Sequence, residues 1–145
     1  MTPGRALVVL ALFVAADHAH ALNNCLASDF AANDRRGSNP LVISNNSPGN
    51  PFLYRPRCAL IAAGATVIFR GLPNFGMHPL FAGTVSAGSG TFDPNSPIGS
   101  IVSGDEHQVV MMDPGEFPYF CDFHLGNGMF GSLMVVPQLF ADGFE

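Results

Sequence analysis

After residue 40 this chain is cut into short pieces by glycine and proline, and the pieces are rich in Val, Ile, Leu and Phe. The runs fall at residues 41–43, 58–61, 65–70, 107–112, 117–121 and 131–136, with a smaller one at 101–102. None shows helical periodicity over more than about two turns. β-Branched and aromatic side chains suit a pleated surface, and Gly and Pro suit the turns between strands. In Thr66-Val67-Ile68-Phe69, alternation puts Val67 and Phe69 on one face. Asp113-Pro114-Gly115-Glu116 has turn residues where a tight turn needs them. The pattern predicts an all-β fold, a Greek-key β-sandwich or barrel of about eight strands. Residues 52–57 read as extended, residues 45–51 as a loop on turn chemistry, and residues 82–97, rich in Gly, Ser, Thr and Pro, as a surface connection.

The first 21 residues read differently. Arg5 precedes an apolar stretch at 6–16, and Ala19-His20-Ala21 is an A-x-A cleavage pattern. The stretch is too short to span a bilayer. Residues 1–21 are therefore expected to be a secretory signal peptide, and the chain to be periplasmic or secreted, with no membrane insertion of the mature part. Residues 22–145 fit one domain, with an irregular lead at 22–40 (one helical turn at 26–31) and a short tail at 137–145. Beyond residue 21 there are ten acidic residues, five Arg and no Lys. That balance argues against nucleic-acid binding, which needs a basic face.

Between the last two strand runs lies Tyr-Phe-Cys-Asp-Phe-His-Leu-Gly-Asn-Gly-Met-Phe-Gly, residues 119–131. It sets Cys121, His124 and Met129 within nine residues, and His78 offers a second imidazole upstream. A thiolate, two imidazoles and a weak axial thioether suit copper cycling between Cu(II) and Cu(I). Taken singly, Cys121 reads as a buried strand thiol, Met129 as core filler and His124 as a loop residue. Their joint spacing favours the metal. His107, opening a strand after Asp105-Glu106, reads as a solvated edge residue. An odd cysteine count in an oxidising compartment leaves one thiol over. If Cys121 serves a metal, Cys25 and Cys58 pair. Two free thiols, or a bridge to Cys121, are the alternatives.

The spacing Cys121-x2-His124-x4-Met129, with Gly126, Gly128 and Gly131, resembles the ligand loop of plastocyanin- and pseudoazurin-like cupredoxins. Gly115-x-Phe117-x-Tyr119-x-Cys121 resembles the family's strand before that loop, and Gly64-x-Thr66-Val67-x-Phe69 the strand before its first His ligand. The resemblance spans residues 54–136. It implies an eight-stranded sandwich holding one copper ion at one end through His78, Cys121, His124 and Met129. It also implies electron entry at His124, with Met77, Pro79, Phe123, Leu125 and Phe130 forming an apolar collar for a transient redox protein partner. Two features depart from the family. Pro79 stands where plastocyanin has Asn, so the backbone N–H that would reach the sulfur is missing. The N-terminal lead with its cysteine is also extra.

The reading is an exported, monomeric carrier of single electrons, not an enzyme. The alternative is a copper-binding protein for storage, delivery or resistance. A zinc hydrolase is disfavoured by the thioether and by the lack of an evident general base.

Overall fold

The computed structural model describes residues 22–46 and 48–138. The expected signal peptide and residues 139–145 of the tail lie outside the described residues. The lead contains a 3₁₀ turn (Leu22–Asn24) and a short helix, α1 (Ala27–Ala32), in place of the single turn expected at 26–31. Asp29 in its first turn accepts a hydrogen bond from the Leu26 N–H, which has no partner inside the helix.

The strands are β1 (Leu41–Ser44), β2 (Cys58–Ala62), β3 (Ala65–Arg70), β4 (Leu80–Ser86), β5 (Ser89–Phe92), β6 (Ser100–Ile101), β7 (Glu106–Met111), β8 (Gly115–Cys121) and β9 (Phe130–Val136). They form a three-stranded sheet, β1-β3-β7, and a six-stranded sheet, β2-β9-β8-β4-β5, with β6 also pairing β4. β1 runs parallel to β3 and β2 parallel to β9, while the other pairs are antiparallel. Residues far apart in sequence are thus neighbours in space.

The core lies between the sheets. Val67 and Phe69 of β3 are fully buried, as the alternation requires, and meet Ile43, Ile61, Leu80, Tyr119 and Leu133. Tyr119 stacks edge-to-face on Tyr54 and Phe69 at 5.7 and 5.4 Å. Each such ring buries about 150–250 Å², and the edge-to-face geometry adds about 0.5–1.5 kcal/mol per pair. Both tyrosine hydroxyls find acceptors, Tyr54 on the His78 carbonyl at 3.3 Å and Tyr119 on the Arg57 carbonyl at 3.0 Å.

Three expectations fail. Residues 82–97 do not form a plain surface connection, since they contain most of β4 and all of β5. Residues 52–57 are a bent, irregular segment rather than a strand, tied to β1 by a single bridge between Ser44 and Arg55. β8 also starts at Gly115, two residues before the apolar run that suggested it.

Candidate metal centre

The chain crosses one end of the sandwich three times to build the site. Cys121 ends β8, where Leu80 of β4 pairs with it. The chain then turns through a 3₁₀ segment (Asp122–Asn127) and re-enters β9. Backbone bonds brace this loop from within. The Cys121 N–H donates to the Met129 carbonyl at 2.8 Å, and the Met129 N–H to the His124 carbonyl at 3.2 Å. Gly128 has φ 82°, a left-handed conformation that lets its N–H reach the Leu125 carbonyl at 3.0 Å. Gly131 is required for a different reason. A Cβ there would lie 2.0 Å from the Arg57 carbonyl oxygen and 2.6 Å from the Tyr119 hydroxyl. Gly126, by contrast, faces open space.

His78 arrives from the connection between β3 and β4. Its N–H donates to the Asn74 carbonyl at 3.2 Å, and the next residue's carbonyl, Pro79, accepts from Asp122 N–H at 3.1 Å. That last bond joins the connection carrying His78 to the loop carrying Cys121 and His124. A third segment was not anticipated. Asn45, buried, donates to the Pro51 and Leu72 carbonyls at 3.0 and 2.8 Å and accepts from Leu72 N–H at 2.7 Å. It holds the loop after β1 against the loop that leads to His78. Phe52 is thereby set with its ring 4.6 Å from that of His124 and 6.2 Å from that of His78.

The donor atoms converge. His78 Nδ1 lies 3.2 Å from His124 Nδ1, and Cys121 Sγ lies 3.4 Å from His124 Nδ1. One ligand atom from each of the three residues fits within 4.8 Å of the others. A first-row ion takes nitrogen at about 2.0 Å and sulfur at about 2.3 Å, so the three donors are spaced to share one ion. Met129 is fully buried on the same loop. His78 and Cys121 are buried, while His124 is half-buried and gives the site its edge toward solvent.

Electrostatics suit a cation. Burial first, and His124 second, hold His78 below the ordinary imidazole value, keeping it neutral and able to ligate. Burial pushes the Cys121 thiol up, an effect opposed by the Phe123 and His124 backbone N–H groups aimed at its sulfur. A bound cation would supply the positive charge that favours the thiolate. Tyr54, behind the site, is also raised by burial, with Cys121 and Tyr119 contributing.

Of the residues expected around the site, Met77 and Phe123 are 57% and 65% exposed, and Leu125 and Phe130 are half-buried. Pro79 is buried, so it offers no outward surface. Phe52, 36% exposed, takes a place on the rim instead. A lone Phe in an Asn/Pro/Gly-rich loop carries no period that would have revealed it. His107 is exposed on β7, at the edge of the smaller sheet, away from the ligand group. Cys25 and Cys58 form a disulfide, leaving Cys121 free.

No family model matches the chain. In sequence it is similar to plastocyanin from Prochlorothrix hollandica, 31% identical over 83 residues, 57% of this chain and 63% of that protein. The chain thus spans somewhat under two thirds of the relative's length. Among solved structures, oxidised plastocyanin from the fern Dryopteris crassirhizoma is 19% identical, with a TM-score of 0.45 over 66% of this chain and 99% of that one. A purple cupredoxin from Nitrosopumilus maritimus is 23% identical, with a TM-score of 0.42 over 68% and 100% of the two chains.

Proposed function

We propose that this cupredoxin-like chain is an exported blue-copper protein, carrying single electrons between redox partners and making or breaking no substrate bond. The observation that carries the reading is the cluster of His78 Nδ1, His124 Nδ1 and Cys121 Sγ at 3.2 and 3.4 Å, with Met129 buried on the loop that carries Cys121 and His124. Copper would be held by His78, Cys121 and His124, with Met129 as the weak axial donor. It would supply a one-electron couple that a thiolate-imidazole-thioether set keeps accessible in both states.

The chain's own contribution is rigidity. The loop's backbone bonds and the Pro79–Asp122 link fix the donors in place, so a change of charge at the centre meets little rearrangement. Tyr54 is buried behind the site, with its hydroxyl on the His78 carbonyl. His124, with the Phe52 ring against it and the exposed Phe123 next to it in sequence, is the only one of the proposed ligands reaching toward solvent among the described residues. A small apolar rim of this kind suits a brief encounter with another redox protein. The reading includes cleavage after Ala21, a periplasmic or secreted location and a monomeric mature chain of one domain. Among the described residues, no helix is long and apolar enough to cross a membrane.

Electrochemistry on the copper-loaded protein separates carriage from storage. A reversible one-electron wave with rapid exchange, and copper that resists a chelator, supports the carrier. Slow exchange with ready loss of copper supports a storage or delivery role.

A further inference from the structure

The mature chain would begin at a point already held in place. Asn23 is buried with φ 50°, and its amide donates to the carbonyls of Gly83, Tyr119 and Gly131 at 3.1, 2.9 and 3.0 Å. Its side-chain oxygen accepts from the Val85 N–H at 2.7 Å. Arg57 donates to the Asn24 carbonyl at 2.9 Å, and Cys25 is bridged to Cys58. One side chain therefore ties β4, β8 and β9 together, and the backbone from Leu22 to Cys25 has little freedom.

Glu116 of β8 lies against this strap. Its half-buried carboxylate faces the Leu22 backbone N–H and the Ser132 hydroxyl. Glu116 Oε1 and Ser132 Oγ are both buried with no hydrogen-bond partner among the described residues. Among the described residues, the ion pairs are Arg36–Asp34 and Arg70–Glu106, so no arginine serves Glu116. A half-buried carboxylate with one oxygen cut off from solvent and only a neutral N–H facing it is short of donors and of positive charge.

We propose that cleavage of the Ala21–Leu22 bond creates the missing partner: the new Leu22 α-ammonium pairs with the Glu116 carboxylate and completes the N-terminal strap. This rests on the export reading above. In the cleavage, a signal-type endopeptidase adds water across the amide. Ala21 departs as a carboxylate on the leader, and the Leu22 nitrogen takes up protons to become an ammonium. One neutral donor is replaced by a charged group with three. The folded state is thereby favoured more in the processed chain than in its precursor.

The test uses the full mature chain, released at Leu22 by cutting a fusion in vitro and compared with the same chain N-α-acetylated, each with Glu116 and with Glu116→Gln. Blocking the amine is expected to lower the thermal midpoint by about 3 °C or more with Glu116 and by less than about 1 °C with Gln. Equal losses in both backgrounds, or none with Glu116, overturn the proposal. Should the Gln variant not fold, the free and blocked Glu116 chains decide alone: the free chain must be the more stable, and equality overturns the pair. Intact mass of the naturally exported protein separately tests the cleavage. A start at Leu22 supports it, and any other start overturns the processing step while leaving the in vitro comparison to judge the contact.

Discussion

At the residue scale, Pro79 follows His78 and has no N–H to offer the nearby sulfur. The Phe123 and His124 N–H groups already point at Cys121 Sγ, so the thiolate would not be bare. One further donor would draw off charge and favour the reduced state. Pro79→Asn is expected to raise the reduction potential by about 50 mV, the scale of one modest hydrogen bond on a one-electron couple. An unchanged or lower potential in voltammetry would contradict this. His78 and Cys121 also set a pH window for the metal-free protein. His78 is lowered in the fold, so its contribution is complete above the ordinary imidazole value and fades as pH falls through the folded one. Cys121 is raised, so its contribution is complete below the ordinary thiol value and fades as pH rises through the folded one. Urea midpoints of metal-free protein should peak between about pH 6.5 and 8.5. A midpoint that keeps rising toward pH 5 would refute the His78 assignment.

At the element scale, what the sequence made legible follows from side-chain alternation. β3 and β9 have buried residues at every second position or nearly so, and both were readable. β5 is exposed at all four positions, so it has no apolar face to announce it. Its Gly90 still has a structural role, because a Cβ there would meet the Phe120 ring at 2.4 Å. The convergence of Cys121 and His124 was legible because metal chemistry favours such spacing. The loop at 45–51 was legible as a loop, but the placement of Asn45 against the connection to His78, and of Phe52 against His124, was not, because long-range contacts set it. Asn23 is the extreme case, a polar residue in an irregular lead that joins three strands. Asn23→Ala would leave buried carbonyls and the Val85 N–H without partners, and a loss of about 2–4 kcal/mol is expected in denaturant unfolding. A loss below about 0.5 kcal/mol would show that water replaces the amide without cost.

For the whole molecule, the Cys25–Cys58 bridge fastens the lead to β2, across 33 residues of sequence. The chain-entropy argument gives about 4 kcal/mol for a loop of that size. The Cys25→Ala, Cys58→Ala double variant should lose about that much stability while still binding copper with unchanged colour, because the bridge lies outside the ligand group. Loss of the colour in a variant that remains folded would mean that the lead also shapes the site.

The central claim is that His78, Cys121, His124 and Met129 together hold one copper ion in a blue-copper site. Its most direct measurement is the addition of one equivalent of Cu(II) to the metal-free, disulfide-intact protein, followed by optical and electron paramagnetic resonance spectra. The account predicts an intense thiolate-to-copper band and a narrow copper hyperfine splitting, both absent in Cys121→Ser. A colourless product from protein whose Cys121 is confirmed as a free, unmodified thiol would contradict it.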